Sequence, residues 1–487
     1  MESSAVYRNS PSESTHGGTV HLMKWIGFDI GSTSVKSVLF DSETETVLDE
    51  KNTPTPERIA GLPPENYEIS AAAIADRVLQ VIDSYTASTQ EIGAVLIASQ
   101  MHGFVYRLPG REDRYISWQD MRCLRKMSTG ETYLARMEQL IPPETMRSHG
   151  VYLKPSLGLC NLYTMFLEDP ALPRDGELFT LGSYVTGRLM KQRSSRPEDS
   201  RTESERYKNI THASSAAPVG IVNVRDGVID RTLPEILGFD SIRLPSLASE
   251  DTVIGTILSN GQTLQIYPDV GDMQIAVLGS RPANGDGVVN AATAAQVICP
   301  AEKFLPGDYE VRPYFGGKFV NVISNMPGGR NLAVLTAFFK EIAETLSGQE
   351  IPEDRIWKEM HRIPDTAGRE LRADVNFYEN PHFPEGGSIS GIDQYNLHMN
   401  TVFRAAVDNM AKTCWEYMCR LGQGPESIRK IICAGGVSWK TPELLESLRR
   451  VSGKECVLSE REDEAAAGLM HLAAQIRAAG RSGGEYS

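Results

Sequence analysis

The chain has 487 residues, of which 41% are hydrophobic and 23% are charged. This length is too great for one ordinary hydrophobic core and predicts roughly two to four domains. The 49 Lys and Arg residues against 63 Asp and Glu residues give a net charge of −14, with no dense basic run, which argues against nucleic acid or an anionic membrane as a partner.

Cysteine usage and the lack of long apolar runs predict a cytoplasmic protein. The seven cysteines are scattered and odd in number, and none forms a Cys-x-x-Cys pair, so we expect free thiols in a reducing compartment and no zinc site. Residues 1–21 lack an apolar core and are predicted to be a flexible leader rather than a signal peptide. No run is long and apolar enough to span a bilayer.

The first predicted element is a β-hairpin from Trp25 to Phe40. Apolar residues alternate before its turn and a β-branched, aromatic run follows it, so the Gly-Ser-Thr-Ser segment between them must reverse the chain. We expect Gly31 to take the positive φ that such a turn favours.

This turn has the composition of a phosphate site. It would present backbone N–H groups with the Ser32 and Thr33 hydroxyls, an arrangement that binds anions, and Lys36 follows closely. Asp29 precedes it, and a carboxylate beside a phosphate requires a divalent cation between them, so Asp29 is a metal candidate acting through metal-bound water. Taken alone, the stretch is equally well explained by an ordinary hairpin.

A helix predicted over Tyr67–Tyr85 leads into an apolar strand over Ile92–Ala98. The strand ends in Ser99-Gln-Met-His-Gly103, and the loop at the carboxyl end of a buried strand is where α/β sheets place ligands. His102 is therefore a candidate for a hydrogen bond to a polar substrate. A lone histidine is more often structural, and position alone favours that reading.

The loop Ile116-Ser-Trp-Gln-Asp-Met-Arg122 combines an indole, an amide, a carboxylate and a guanidinium. This mixture suits the apolar face and hydroxyl rim of a sugar. The simpler interpretation is a surface loop with an Asp120–Arg122 ion pair, and the loop alone favours it.

Near residue 265 a second strand-and-hairpin pattern begins. The chain is therefore predicted to have an N-terminal domain over 22–264 and a C-terminal domain over 265–480. Gly271-Asp-Met-Gln274 precedes an apolar segment, and Thr293 stands in a second hairpin-like run as a phosphate-facing hydroxyl. Residues 347–392 are rich in Pro, Gly and charge and are predicted to be an irregular insertion.

Two glycine pairs follow in positions that suit a nucleotide. Pro327-Gly-Gly329 opens a predicted helix, and a strand over Arg429–Ala434 ends in Gly435-Gly436-Val437 before another helix. Helix N-termini and glycine turns after strands admit phosphates or a base. Long helices are predicted over Asn400–Leu421 and Asp463–Ala478.

These motifs, in this order, resemble those of the FGGY carbohydrate kinases, which belong to the actin-like, sugar-kinase and heat-shock ATPase superfamily. The resemblance runs from about residue 24 to residue 475 and rests on five motifs, namely Gly27–Lys36 (first phosphate motif), Ser99–Gly103 (sugar signature), Gly271–Gln274 (catalytic base), Pro327–Gly329 and Ala434–Val437 (nucleotide). It implies an α/β fold of two actin-like (ribonuclease H-like) domains with a catalytic cleft between them.

The resemblance also implies ATP and Mg²⁺ as cofactors and a small sugar as substrate. It makes Asp272 the catalytic base and Asp29 the metal-binding residue. It assigns the sugar to Gln100, Met101, His102, Trp118, Asp120, Arg122 and Gln274. It assigns the nucleotide to Gly31, Ser32, Thr33, Lys36, Gly271, Thr293, Gly328, Gly329, Gly435, Gly436 and Val437.

Within the family, Trp118–Cys123, Pro313-Tyr-Phe315 and the Asp-Met-Gln spelling resemble sedoheptulokinases more than xylulokinases or glycerol kinases. The chain departs from the family at Ala292 and Ala294, where relatives often carry Gly and Ser, and at His212, where many have Asp. A Gly-Glu-Arg triplet is not recognisable near Tyr378–Pro381. The sequence leaves open another sugar or polyol kinase, an actin-like ATPase, a silent sugar sensor and a homodimer.

Overall fold

The structure is a computed structural model that describes residues 23–193, 208–362, 370–378, 386–422 and 424–483. The predicted leader lies outside these residues. The strands are β1 (Lys24–Ile30), β2 (Ser34–Asp41), β3 (Thr46–Pro54), β4 (Glu68–Ser70), β5 (Ile92–Ser99), β6 (Phe104–Arg107), β7 (Arg114–Ile116), β8 (Glu177–Phe179), β9 (Ile210–Thr211), β10 (Val222–Asn223), β11 (Val228–Ile229), β12 (Ser246–Leu247), β13 (Gly255–Ser259), β14 (Gln262–Ile266), β15 (Val270–Gly271), β16 (Asp286–Ala291), β17 (Ala295–Ala301), β18 (Glu310–Pro313), β19 (Phe319–Met326), β20 (Arg372–Asp374), β21 (Ser388–Ser390), β22 (Lys430–Ala434) and β23 (Glu455–Leu458).

Helices cover the two larger sheets and connect their strands. They are α1 (Ala71–Ser88), α2 (Tyr133–Leu140), α3 (Pro143–His149), α4 (Gly158–Glu168), α5 (Leu181–Gln192), α6 (Ala213–Ala216), α7 (Thr232–Ile236), α8 (Asp272–Gly279), α9 (Gly329–Ser347), α10 (Glu353–Met360), α11 (Met399–Met418), α12 (Gly436–Lys440), α13 (Pro442–Ser452) and α14 (Glu464–Gly483). None of the helices in the described stretches is long and apolar enough to cross a membrane.

The first large sheet has the order β13-β14-β5-β1-β2-β3, and β15 pairs with the end of β5. Strands β1 and β2 form the predicted hairpin, and β3 extends it as a third antiparallel strand. Strand β5 runs parallel to β1, and β14 and β15 run parallel to β5. Because β1, β5 and β15 point the same way, their carboxyl ends meet at one edge of the sheet. Such edges are where α/β sheets bind ligands.

Both faces of this sheet are buried, which explains why its strands read as nearly continuous apolar runs. Alternating side chains of β1 pack on one face against α1 and α5, and those of the opposite face pack against α8 and α14. Gly27 allows the close approach of α14, because a Cβ there would lie 3.1 Å from the Leu469 side chain. The last helix of the chain therefore packs on the first sheet.

The β1–β2 turn forms as predicted, with one correction at Gly31. The Gly31 amide donates to the Ser34 carbonyl at 3.0 Å, but Gly31 does not have a positive φ. The chain therefore reverses here although Gly31 does not adopt the left-handed backbone conformation. A Cβ there would lie 3.2 Å from the Ser34 carbonyl oxygen, so close approach is what favours glycine.

The second large sheet, with the order β18-β19-β17-β16-β22-β23, repeats this arrangement. An antiparallel hairpin, β16–β17, is extended by β19, and β22 runs parallel to β16 as β5 does to β1. The restart predicted from the sequence is therefore a second copy of the hairpin-plus-parallel-strand unit. The predicted boundary after residue 264 falls inside β14, so the first sheet continues beyond it.

The region 347–392 is more ordered than predicted. Its described residues contain α10, which buries Ile356 and Met360, and the short hairpin of β20 and β21. The Pro and Gly residues around α10 concealed this helix, and most of its own side chains are charged. The prediction of an irregular insertion is wrong for these elements.

Candidate functional site

Asp29 and Asp272 lie at the same edge of the first sheet. Asp29 of β1 is level with Ala98 of β5, and Val270 of β15 is level with Ala98 from the other side. Asp272 follows β15 immediately and is the first residue of α8. Neighbouring strands are about 4.8 Å apart and β5 lies between β1 and β15, so this register places the two residues roughly 10 Å apart at one edge although they are remote in the sequence.

Asp272 contributes to the electrostatics of Asp29. Burial, followed by the negative charges of Asp272 and Asp463, raises the pKa of Asp29 to about 7, against the effect of Lys36. Burial also raises the pKa of Asp272 to about 6, although a hydrogen bond from the Met273 amide and the charge of Arg312 lower it. Burial is thus the main cause of both shifts, and neighbouring carboxylates add to it at Asp29.

Asp463 joins this site although the sequence marked it only as the start of a helix. Its Oδ2 lies 3.0 Å from Lys36 Nζ, and its Oδ1 accepts from the Ala466 amide as a helix cap does. Lys36 is also directly opposite Asp29 in the β1–β2 register. These three side chains line a cavity of about 320 Å³. The position of Asp463 as a helix cap does not indicate that it would contact Lys36.

Next to Asp272, four buried polar atoms have no hydrogen-bond partner among the described residues. They belong to the Ser99–Gly103 loop, to β7 and to α8, and they are Gln100 Oε1, His102 Nδ1, Tyr115 OH and Gln274 Oε1. Buried polar atoms without partners are rare in folded proteins and mark places where a ligand or water completes the bonding. Tyr115, whose hydroxyl packs against Gly103, was not predicted from the sequence.

Two contacts relate this loop and α8 to their surroundings. Gly271 has no room for a side chain, because a Cβ would collide with Gln274 Oε1 and with Met101 Sδ. Gln100 Nε2 donates to the Gly31 carbonyl at 3.2 Å, which ties the loop to the β1–β2 turn. The structure therefore places Gln100, one of the predicted sugar residues, against the turn predicted to bind phosphate.

A buried ionic cluster borders His102. Glu310 forms ion pairs with Lys154 and with Arg312, both of which contact its carboxylate. Burial and the charges of Lys154 and Arg312 lower the pKa of His102 well below its usual value, so its imidazole is neutral. His102 also has a φ of 71°, an unusual conformation for a residue with a side chain.

This cluster has only an indirect signal in the sequence. Glu310 and Arg312 alternate with Val311 in β18, so they place two opposite charges on one face of a buried strand. The partner Lys154 comes from a distant loop that no local pattern connects to β18. The cluster joins the two halves of the chain beside His102. We call the region around Gln100, His102, Tyr115 and Gln274 the acceptor pocket.

In the Trp118 loop, the ion pair favoured by the sequence alone is present. Asp120 is fully buried and accepts from Arg122 Nε at 2.8 Å and from the Tyr67 amide at 2.7 Å. Arg122 also donates to Glu68 Oε1 at 2.6 Å. These bonds occupy the Asp120 and Arg122 groups within the chain, whereas Trp118 remains 37% exposed. Their contact with a sugar stays a prediction.

The predicted nucleotide residues of the second half gather around the β16–β17 turn. The Gly329 amide donates to the Ala292 carbonyl at 2.8 Å, and a Cβ on Gly329 would lie 2.8 Å from Val437 Cγ2. A Cβ on Gly328 would lie 2.6 Å from the Ala294 carbonyl carbon. Thr293 is exposed at the tip of this turn.

The second glycine pair adjoins the same turn. Gly435 has a φ of 82°, and a Cβ there would lie 2.5 Å from the Ala291 carbonyl oxygen, so only glycine fits. Gly436 faces open space, with nothing within 4 Å of a Cβ. Glu464, which the sequence did not single out, accepts from the Gly435 amide at 2.9 Å. Asp463 and Glu464 thus connect the first hairpin to the second glycine pair through the start of α14.

No protein-family model and no curated protein sequence matches the chain. Solved structures do resemble it along most of its length. A ligand-bound xylulose kinase from Lactobacillus acidophilus is 17% identical, with a TM-score of 0.75, and the match covers 94% of this chain and 90% of that one.

Two further structures give similar matches. A gluconate kinase from Lactobacillus acidophilus is 16% identical over 94% of this chain and 89% of its own, with a TM-score of 0.72. A glycerol kinase from Plasmodium falciparum, solved with ADP, is 14% identical over 93% of this chain and 89% of its own, with a TM-score of 0.74. At these identities the similarity establishes the fold, and the predicted class of two actin-like α/β domains is confirmed.

Proposed function

We propose that this chain is a carbohydrate kinase that transfers the γ-phosphoryl group of ATP to a primary hydroxyl of a ketose. The observation that carries the proposal is the meeting of Asp29 and Asp272 at one sheet edge, beside a pocket of unpartnered buried polar atoms. Phosphoryl transfer requires positioning, charge neutralisation and an acceptor oxygen made nucleophilic, and these features supply each of them.

Asp272 is the proposed general base. It shares the first turn of α8 with Gln274 and follows Gly271, which pairs with Ser99 just before Gln100. Its carboxylate accepts the proton of the sugar hydroxyl as that oxygen attacks phosphorus. With a pKa of about 6 it is still mostly ionised at neutral pH, and the raised value makes it a better proton acceptor than an ordinary aspartate. General-base assistance of this kind contributes roughly 10²–10⁴-fold to rate.

The acceptor pocket suits a polyhydroxylated molecule. Its unpartnered atoms are mainly acceptors, and sugar hydroxyls can donate to them. Neutral His102 presents Nδ1 as one such acceptor, while Met101 supplies an apolar surface. We assign Gln100, Met101, His102, Gln274 and Trp118 to the sugar, and Asp120 and Arg122 to the support of the Trp118 loop.

Asp29 fits the role of holding Mg²⁺. Its pKa is raised to about 7 by burial and by two neighbouring carboxylates, a surplus of negative charge that a divalent cation would neutralise. Among the described residues no three His, Cys, Asp or Glu side chains group as a metal site. The ion would therefore be held by Asp29 together with waters and the phosphates of ATP. Bound with ATP, the ion would neutralise the charge of the phosphates.

The remaining assignments place the nucleotide across both hairpins. Gly31, Ser32, Thr33 and Lys36 would hold the phosphates on the first sheet, with Gly271 bordering them. Thr293, Gly328 and Gly329 face them from the second sheet, and Gly435, Gly436 and Val437 receive the adenosine. The open space at Gly436 supports this placement.

Sedoheptulose is the proposed acceptor, on the motifs of the Trp118 and Pro313 segments. Xylulose is the second candidate, because three xylulose kinase structures are among those that match with TM-scores of 0.75. A panel of sedoheptulose, xylulose, ribulose, gluconate and glycerol in a coupled ADP-release assay decides between them. ADP release that is independent of every sugar would instead indicate an ATPase.

A further inference from the structure

His212 lies at the centre of a hydrogen-bond network that ends at the residue before Asp272. Its Nδ1 lies 2.8 Å from Ser214 Oγ and accepts from the Ser214 amide at 3.2 Å. On the other side of the ring, Nε2 lies 3.4 Å from Glu250 Oε2. Ser214 Oγ in turn accepts from the Gly271 amide at 3.0 Å. A continuous chain therefore runs from Glu250 through His212 and Ser214 to Gly271.

The donors in this chain fix where its protons lie. The Ser214 amide can only donate, so His212 Nδ1 carries a lone pair and the ring proton is on Nε2, where it faces Glu250. Because Ser214 Oγ accepts from the Gly271 amide, its own proton points to Nδ1. Although burial opposes it, hydrogen bonds from His212 and the Gly316 amide lower the pKa of Glu250 to about 2, so it is ionised.

The network also holds the other side of α8. Glu250 Oε1 accepts from the Gly316 amide at 2.7 Å, and the Phe315 ring stacks on His212 with centroids 5.7 Å apart. The same turn begins at Pro313, whose carbonyl accepts from Gln274 Nε2 at 3.2 Å. The first turn of α8, which contains Asp272 and Gln274, is thus held from both the first and the second sheet.

The histidine does more here than cap a helix. His212 is the N-cap of α6, a position at which Asp, Asn, Ser and Thr are preferred. The ring supplies the same acceptor at Nδ1, and its second nitrogen reaches Glu250, which a shorter capping side chain cannot do. His212 and Ser214 are both buried, so this network is shielded from water.

We propose that His212, acting through Ser214 and Glu250, is a positioning residue for Asp272. This inference rests on the proposed function, because it requires Asp272 to be the base. The network holds the Gly271 amide and the Gly316 turn in place through hydrogen bonds. It thereby fixes the positions of the Asp272 carboxylate and the Gln274 side-chain amide relative to the acceptor hydroxyl. Displacing reacting groups by about 1 Å can cost roughly 10²-fold in rate.

The two nitrogens can be tested separately. Asn places its oxygen near the position of Nδ1, and Gln reaches the position of Nε2, so His212→Asn keeps the Ser214 arm and His212→Gln keeps the Glu250 arm. We expect kcat to fall roughly 10–100-fold in His212→Gln and His212→Ala and less in His212→Asn, with the KM for ATP unchanged. Glu250→Gln should lower kcat to an intermediate extent.

A matched control is the buried His149, whose Nε2 lies 3.5 Å from Asp230 Oδ2 outside this network. His149→Gln should leave kcat unchanged at temperatures where it is folded. Circular dichroism melts of every variant ensure that kcat is compared between folded proteins. If the His212 variants do not fold, Glu250→Gln alone decides, and an unchanged kcat overturns the proposal.

Asp272→Asn separates this proposal from the proposed function. If Asp272→Asn keeps its turnover, Asp272 is not the base and the proposed mechanism fails. If Asp272→Asn is inactive while folded His212→Gln and His212→Ala retain full kcat, only the positioning role fails. A loss of kcat in all of them, with His149→Gln unaffected, supports both.

Discussion

Asp29 and Asp272 lie on either side of β5, and the charge of Asp272 helps to raise the pKa of Asp29 to about 7. Asp29 is the next-to-last residue of β1, and Asp272 is the first residue of α8 after β15. The fold therefore brings together two like charges at a buried edge, an arrangement that disfavours the empty site and favours a bound cation.

The first prediction concerns the stability cost of Asp29. Between its ordinary value and about 7, the folded protein keeps a proton that the unfolded chain releases, so stability falls as pH rises through this range. Asp29→Asn removes that loss, and we expect its Tm to exceed the wild-type Tm by roughly 1–4 °C at pH 8 and to equal it near pH 4.

The control for this experiment is Asp49→Asn, because Asp49 is an exposed carboxylate on β3 of the same sheet. Its Tm should match the wild type at both pH values. Asp29→Asn should also lose Mg²⁺-dependent sugar phosphorylation. A lower Tm at pH 8 for Asp29→Asn would show that the carboxylate is satisfied within the chain.

The second prediction concerns pH and Arg312. Asp272 must be ionised to accept a proton, so kcat/KM should fall as pH falls through about 6. The charge of Arg312 lowers the pKa of Asp272, and its loss in Arg312→Gln should move this fall to a higher pH. Arg372→Gln, at an exposed position of β20, should leave the profile unchanged. An identical profile for Arg312→Gln would exclude the electrostatic link.

The third prediction separates the two glycines that follow β22. Gly435→Ala adds a Cβ against the Ala291 carbonyl at a positive φ, so it should lower both Tm and the affinity for ATP. Gly436→Ala adds a Cβ in open space, so it should leave Tm unchanged and raise the KM for ATP if adenosine occupies that space. Unchanged nucleotide affinity in Gly436→Ala would place the adenosine elsewhere.

The fourth prediction concerns the Trp118 loop. Asp120→Asn weakens a buried pair with Arg122 and should lower Tm, since breaking such pairs costs about 3–5 kcal/mol. Its KM for sugar should change little in the folded protein. Trp118→Ala removes the exposed ring and should raise the KM for sugar with little effect on Tm. The reverse pattern would mean that Asp120, rather than Trp118, contacts the sugar.

The fold was predictable because its strongest signals are local. The β1–β2 hairpin, the buried strand β5 and the glycine turn after β22 each have a periodicity or composition that determines their own backbone. Their order also matched one known pattern of motifs. Gly31 was right as a turn residue but wrong in its expected φ, because the sequence does not distinguish a close contact from a left-handed backbone.

The candidate site was only partly predictable, because several of its contacts join residues that no local pattern relates. Asp463 reads as a helix cap until the fold places it against Lys36, and Lys154 reads as a surface lysine until it meets Glu310. Tyr115 likewise appears as one apolar member of a strand. For Asp120 and Arg122 the sequence suggests contact with a ligand, but in the structure their charged groups bind each other and neighbouring residues of the chain.

The most direct test of the central claim is single-turnover phosphorylation of sedoheptulose, with xylulose in parallel, by the wild-type chain and by Asp272→Asn. ATP binding, measured by calorimetry, should be the same in both proteins, while sugar phosphate should form at a rate at least about 10²-fold lower in Asp272→Asn. Equal rates of sugar phosphate formation in the two proteins would contradict the account.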